Sequence, residues 1–278
     1  MSLWDLIRRA LTSCAAAAFL AGCGGEPPTR TPGATLQTLR TSSPASASSK
    51  AFRVIYRFAG GRDGDGPAGA LIDVGGTMYG VTSGGGHPEC LYGDGCGTIY
   101  SMSTTGAEKV LRRFAGGADG ADPFAGFTDA NGTLYGTTRY GGGSGCNQGF
   151  GCGTVYMVTP SGKEKLVYAF GSYANGTQPF AALIDVNGTL YGTTWHGGAS
   201  NSGTVFSLDS SGVEKVLHGF SGPPDGALPY GGLIAIKGRL YGTTWDGGSG
   251  CASSGGCGTV FRITTSGDEK VIYSSVLC

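Results

Sequence analysis

Repetition limits this chain more than any other feature. From residue 51 onward the phrase (Leu/Met)-Tyr-Gly returns at Tyr79, Tyr135, Tyr191 and Tyr241, at intervals of 56, 56 and 50 residues. Two further phrases keep step with it. Gly-Thr-(Ile/Val)-(Tyr/Phe) begins at Gly97, Gly153, Gly203 and Gly258, and an apolar segment, usually opened by Glu-Lys, runs over 109–114, 165–170, 215–220 and 270–273. One more copy of that segment, residues 52–58, precedes the first full unit. Units of this length are single supersecondary modules that bury their apolar faces against one another, so the period outranks every other fold signal.

Each unit holds four short β-prone segments, which in the second copy are residues 124–129, 133–138, 154–158 and 165–170. Asn131-Gly132 and Asn187-Gly188 supply the positive backbone angles of a two-residue hairpin turn, and Gly75-Gly76 and Lys237-Gly238 hold the same place. Pro160-Ser161-Gly162-Lys163, with counterparts at Gly106, Gly212 and Gly267, closes a second hairpin. The expected unit is a four-stranded antiparallel meander. Strand interiors such as Thr154-Val155-Tyr156-Met157-Val158 are apolar toward both faces, so both faces must be covered. The fold class that follows is all-β, a β-propeller of four-stranded antiparallel blades with four full repeats and one leading strand. A β-sandwich, the structural rival, does not call for so regular a unit. The 55 glycines and the 14% of charged residues suit a turn-rich β protein and disfavour long helices. Nineteen basic side chains balance nineteen acidic ones, which leaves no electrostatic case for nucleic acid.

The phrases Tyr-Gly-Thr-Thr-Trp-x-Gly-Gly, Gly-Thr-Val-Phe and Glu-Lys-Val-Leu-x-x-Phe, followed by Asp-Gly, Pro and Leu-Ile, resemble the GloVer (choice-of-anchor) tandem repeat of bacterial exported proteins, over residues 52–275. The resemblance implies a variable surface anchor and no assigned activity. Glycine pairs after an aromatic strand give a more distant likeness to kelch blades, which adds to the propeller expectation only.

Three domains are expected. Residues 1–22 carry Arg8 and Arg9, then an uncharged run through Ala15–Ala18 and Phe19, the layout of a signal peptide and too short for a membrane span. The run ends in Leu20-Ala21-Gly22-Cys23, which resembles a bacterial lipobox and implies cleavage before Cys23 and its lipidation. An ordinary secretory signal with a chance cysteine is the rival. Gly24, in place of an aspartate, leaves outer-membrane or cell-surface placement favoured. Residues 23–50 make a lipidated cysteine and a Pro/Ser/Thr-rich tether, whose 27 residues after Cys23 reach on the order of 30 Å. Residues 51–278 make the repeat domain. The expected partners are the membrane, through the lipid, and a glycan or envelope protein.

Of nine cysteines, Cys14 lies in the signal segment, Cys23 takes lipid and Cys278 is terminal. The remaining six form pairs of one spacing, Cys90–Cys96, Cys146–Cys152 and Cys251–Cys257, each just before a Gly-Thr strand. The third unit lacks both cysteines, and its loop is shorter. A local disulfide staple explains this joint loss in an exported protein better than zinc, because no histidine recurs beside these loops. No metal site and no cofactor is expected.

In a meander the loop from second to third strand and the loop between blades emerge at one end, which is therefore the candidate binding face. There the residue after Tyr-Gly-x-Thr varies from unit to unit, as Ser83, Arg139, Trp195 and Trp245, with neighbours Gly84, Tyr140, His196 and Asp246. Arg139, Tyr140, Trp195, His196, Trp245 and Asp246 are the candidate binding residues, since tryptophan stacks on sugar rings and polar neighbours bond hydroxyls. Packing of both tryptophans between blades is the leading reading of these two residues, with binding as its rival. The Asp-Gly pairs at Asp63, Asp119 and Asp225, and Asn175-Gly176, suit turns better than calcium loops. No catalytic residue is assigned. His87, His196 and His218 hold unrelated repeat positions, no triad or nucleophile elbow is legible, and the glycine runs open no helix. The leading expectation is a lipid-anchored, non-catalytic binding scaffold of the bacterial envelope. The alternatives are a carbohydrate- or peptide-active enzyme using His196, Asp246 and Arg139, and an envelope assembly protein.

Overall fold

The computed structural model describes residues 52–275 except 89, 91–92, 144, 147–148 and 250–254. The signal segment, Cys14, Cys23, the tether and Cys278 lie outside the described residues. Strands β1 (Asp65–Val74), β2 (Thr77–Gly84), β3 (Thr98–Ser103) and β4 (Glu108–Arg113) form the first sheet in that order. Next come β5 (Thr128–Ala130), β6 (Thr133–Thr138), β7 (Thr154–Val158) and β8 (Glu164–Ala169), then β9 (Ile184–Val186), β10 (Thr189–Thr194), β11 (Thr204–Leu208) and β12 (Glu214–Gly219). A short pair, β13 (Gly226–Ala227) with β16 (Asp246–Gly247), accompanies the fourth sheet. That sheet runs β14 (Ile234–Ile236), β15 (Arg239–Thr244), β17 (Thr259–Thr264) and β18 (Glu269–Ser274). All pairings within the four sheets are antiparallel, so each repeat is one meander blade of a β-propeller.

The hairpin turns form where turn chemistry places them. Asn131, Asn187 and Lys237 adopt φ of 55°, 55° and 51°, each followed by a positive-φ glycine. The segment expected as a strand over 124–129 is a strand only over β5. Before it, Gly126 lies so close to the backbone of Ala70 in the first blade that a Cβ would come within 2.5 Å of the carbonyl oxygen, and the chain there serves blade packing instead of a ladder.

The recurring phrases meet in space for two packing reasons. The ring of the Gly-Thr-(Ile/Val)-(Tyr/Phe) strand lies across the glycine of the Tyr-Gly strand, where a Cβ on Gly136 would stand 2.4 Å from the Tyr156 hydroxyl oxygen. The same ring receives the phenylalanine that directly follows the fourth strand of the preceding blade. The pairs are Phe114–Tyr156, Phe170–Phe206 and Phe220–Phe261, edge to face with centroids 5.1, 5.2 and 5.1 Å apart. All six of these rings are fully buried. Residues 52–58 join no ladder, yet Phe58 meets Tyr100 at 4.9 Å and so caps the first blade as a fourth strand would.

The second reason is a buried threonine pair. Thr82–Thr98, Thr138–Thr154, Thr194–Thr204 and Thr244–Thr259 join their hydroxyls at 2.8, 2.6, 2.8 and 2.8 Å. The Asp-Gly glycine of each loop rests on this pair, and a Cβ on Gly120 would come within 2.6 Å of the Thr138 hydroxyl. The aspartate beside it caps its own loop: Asp63, Asp119 and Asp225 accept the backbone N–H of Ala59, Ala115 and Ser221 at 2.7, 2.8 and 3.0 Å. This is the turn chemistry expected of these pairs.

Candidate functional site

The loops between blades and the loops from second to third strand do share one end. Gly86, Gly142, Gly198 and Gly248 each donate a backbone N–H to their own blade's inter-blade loop, at Gly61, Gly117, Tyr173 and Asp225. Asp122, Gln178 and Leu228 donate to Cys96, Cys152 and Ser202 of the preceding blade. The long loops are thereby clamped from both sides. Two of the expected disulfides are present, Cys90–Cys96 and Cys146–Cys152, with Cα atoms 5.2 and 5.0 Å apart. Cys257 is disulfide-bonded as well, and Cys251 lies outside the described residues.

On this clamped frame the variable residues occupy equivalent backbone positions. Arg139, Trp195 and Trp245 donate their N–H to the carbonyls of Asp122, Gln178 and Leu228, each at 3.0 Å. Those three acceptors are not glycine, yet adopt φ of 57°, 58° and 56°. Left-handed backbone at such residues costs on the order of 1–3 kcal/mol apiece and clusters at functional surfaces.

The side chains then differ. The Arg139 guanidinium stands 3.5 Å from the Asp122 carboxylate and stacks over the rings of Tyr140 and Phe180, 4.7 and 4.5 Å from their centroids. Burial pushes the Asp122 carboxyl up from its ordinary range, and the Arg139 charge opposes that shift. Asp122 and Tyr140 also line a cleft of about 330 Å³ with Ser83, Gly84, Asp94 and Phe150.

Beyond Arg139 an aromatic platform crosses the loops of the later blades. Phe180 packs on Phe124, Trp195 and Tyr230, with centroids 5.5, 4.6 and 5.2 Å away. The His196 imidazole lies parallel to the Trp195 indole at 5.4 Å. Two donors are left over at this platform: Arg139 Nε and Trp195 Nε1 are closed to solvent without a hydrogen-bond partner. Such groups carry a desolvation cost until an acceptor reaches them.

The candidate residues therefore divide. Arg139, Tyr140, Trp195 and His196 gather around Phe180, directly or through one neighbour. Trp245 is 70% exposed, whereas Trp195 is half-buried, so the packing reading suits one tryptophan and the surface reading the other. Asp246 is taken up in β16, paired with Ala227 of β13. Sequence reasoning passed over Asp122, Phe124, Phe180 and Tyr230. The signal was present in the aromatic that follows the recurring proline at Pro123, Pro179 and Pro229, where the first unit has Pro67-Ala68.

Comparison with known proteins agrees with the repeat. The family model described as the Gloeobacter/Verrucomicrobia repeat matches residues 145–276. No curated protein matches the sequence. Similar solved structures include a gluconolactonase from Xanthomonas campestris, 15% identical, with 72% of this chain aligned to 58% of that one and a TM-score of 0.44. An α-L-arabinofuranosidase from Clostridium thermocellum is 15% identical, with 75% of each chain covered and a TM-score of 0.42. A GH43 protein from Bacillus licheniformis is 22% identical over 74% of this chain and 40% of that one, with a TM-score of 0.39. The chain thus spans about six tenths of the gluconolactonase's length.

Proposed function

We propose that this chain, which carries the Gloeobacter/Verrucomicrobia repeat, is a non-catalytic binding scaffold whose clamped loop face engages a glycan at the bacterial envelope, tethered by lipid on Cys23. The observation that carries the reading is the pairing of an aromatic platform with two unsatisfied donors, Arg139 Nε and Trp195 Nε1. Apolar ring faces accept the C–H face of a sugar, and buried donors take its hydroxyl oxygens. The variation of Ser83, Arg139, Trp195 and Trp245 on one repeated backbone supports the same reading, because these positions have no packing duty in common. Glycan-array binding of the purified chain, with a loss of at least roughly tenfold on Arg139→Ala or Trp195→Ala, is the expected outcome; each tenfold corresponds to about 1.4 kcal/mol. Failure to bind any glycan or envelope extract overturns the proposal. Palmitate incorporation, abolished by Cys23→Ser, tests the anchor separately.

A second reading, assembly at the envelope, draws on the apolar side chains that the fourth blade leaves exposed, namely Ile234, Ile236, Ile272 and Tyr273. Concentration-dependent association in sedimentation, reversed by Ile272→Lys, distinguishes it from glycan binding.

A further inference from the structure

Each junction between consecutive blades carries one polar triplet. Its members are the residue two places before the inter-blade phenylalanine, the Asp or Asn that caps the loop, and the glutamate that opens the next blade's fourth strand. Around the first blade, Tyr56 bonds Asp63 at 2.7 Å and Glu108 at 3.3 Å. At the next junction Arg112 pairs with Asp119 and, at 3.7 Å, with Glu164. At the third, Asn175 and Tyr168 donate to Glu214 Oε2 at 2.7 and 3.2 Å. In every case a hydroxyl, guanidinium or amide proton answers the glutamate.

The fourth junction breaks the pattern. Its triplet is His218, Asp225 and Glu269, with one ligand atom from each lying within 4.8 Å of the others. All three side chains are metal ligands, whereas Arg112 can never be one and Tyr168 and Asn175 are weak ones. We propose that His218, Asp225 and Glu269 bind a first-row divalent transition metal ion, with zinc the best match, at the junction of the third and fourth blades.

Three observations beyond the cluster itself support the site. Asp225 is held in place by outer hydrogen bonds, from Ser221 N and Oγ to Oδ2 at 3.0 and 3.1 Å and from Gly226 N to Oδ1 at 2.7 Å. Such bonds orient a ligating carboxylate. The His218 ring, 3.2 Å from Asp225 Oδ2 through Nε2, is braced edge-on by Phe220 at 4.8 Å. Glu269 Oε1 is shut off from solvent with no hydrogen-bond partner. Glu108 and Glu214 share that orphaned oxygen, so the junction itself creates the need for a positive neighbour, and only here do an imidazole and a second carboxylate stand ready.

The geometry is close to closure. A tetrahedral ion with bonds of about 2.0–2.1 Å needs ligand atoms roughly 3.3 Å apart, and the three present ligand atoms already lie within 4.8 Å of one another, so binding requires them only to draw together. Three protein ligands leave a coordination position for water or a further ligand. The ion would tie β12, the loop after it and β18 together, and so bind preferentially to the folded chain.

The test uses the full chain with disulfides intact, with zinc chloride as the probe, followed by calorimetric titration and thermal unfolding. The expected result is one zinc per chain at this site and a rise in Tm of roughly 5–10 °C when zinc exceeds its Kd about 100-fold. His218→Tyr and Asp225→Asn install side chains that other junctions already use, so these variants fold, and each is expected to weaken zinc at least roughly 100-fold. Cobalt in place of zinc should give a visible absorption band lost in both variants and kept in His87→Ala. A wild-type chain without a zinc-dependent Tm shift, or His218→Tyr and Asp225→Asn chains that bind zinc as tightly as wild type, overturns the proposal.

Discussion

The second and third blades share a frame but close their long loops with different chemistry. In both, the loop's second glycine, Gly142 or Gly198, donates to the inter-blade loop, and the Gly-Thr glycine, Gly153 or Gly203, donates back to Gly141 or Gly197. Between these fixed points the second blade uses the Cys146–Cys152 disulfide. The third uses Asn201, whose side-chain oxygen accepts the Gly197 N–H at 2.9 Å while its backbone takes φ of 53°. An asparagine that tolerates left-handed backbone thus does within a short loop what a covalent bond does across a longer one. The difference teaches that the staple is an accessory to the threonine pair and the glycine contacts, which both blades possess.

Breaking the shared frame should outweigh breaking either closure. Phe170→Ala removes the ring that joins these two blades and is expected to cost about 3–5 kcal/mol in denaturant unfolding. Loss of the disulfide by Cys146→Ser with Cys152→Ser should cost about 2 kcal/mol, and reducing agent should lower the stability of the wild type but add nothing to this variant at that loop. Asn201→Ala loses one hydrogen bond and an accommodating side chain, for about 1 kcal/mol, of which Asn201→Gly should recover the backbone part. A cost from Asn201→Ala that exceeds the disulfide's would reverse the ranking.

The smallest effect expected is one of pH. Glu164 of the second blade and Glu214 of the third both titrate above the ordinary glutamate value of 4.5, chiefly through burial; Arg112 opposes the rise at Glu164, and hydrogen bonds from Asn175 and Tyr168 oppose it at Glu214. The folded chain therefore holds these protons more tightly than the unfolded chain. That contribution is fully present below pH 4.5 and is lost as pH rises through the raised values. Glu214→Gln should flatten this part of a Tm-against-pH profile without breaking an ion pair, whereas Glu164→Gln also removes one of the two carboxylates paired with Arg112, leaving it on Asp119. Identical profiles for Glu214→Gln and wild type would remove Glu214 from the account. The Tyr168 hydroxyl, pushed up to about 12 by burial, the Glu214 charge and its bond to Glu214, stays protonated throughout.

Most of the fold was legible in advance because its determinants are local. Asn131-Gly132 and Pro160-Ser161-Gly162 fix two hairpins per unit through backbone angles that depend on a few adjacent residues. The cysteine pairs were legible for the same reason, since a separation of 6 residues leaves few ways to meet. The site was only half legible. Arg139, Trp195 and His196 stood out as departures from the repeat, but Phe180 and Asp122, which draw them together, looked like ordinary members of a proline loop.

The sequence by itself determined the module: four strands, their turns, the glycines that admit a ring or a threonine pair, and the period at which these return. Only the tertiary structure decided which variable residues share a neighbourhood, separating Trp195 from Trp245 and bringing His218 to Glu269. The physical reason is that a turn is set by the torsions of two or three residues, while contacts between blades depend on how whole sheets seat against one another. That seating is governed by buried rings such as Phe170 and Phe206, which no single repeat contains together.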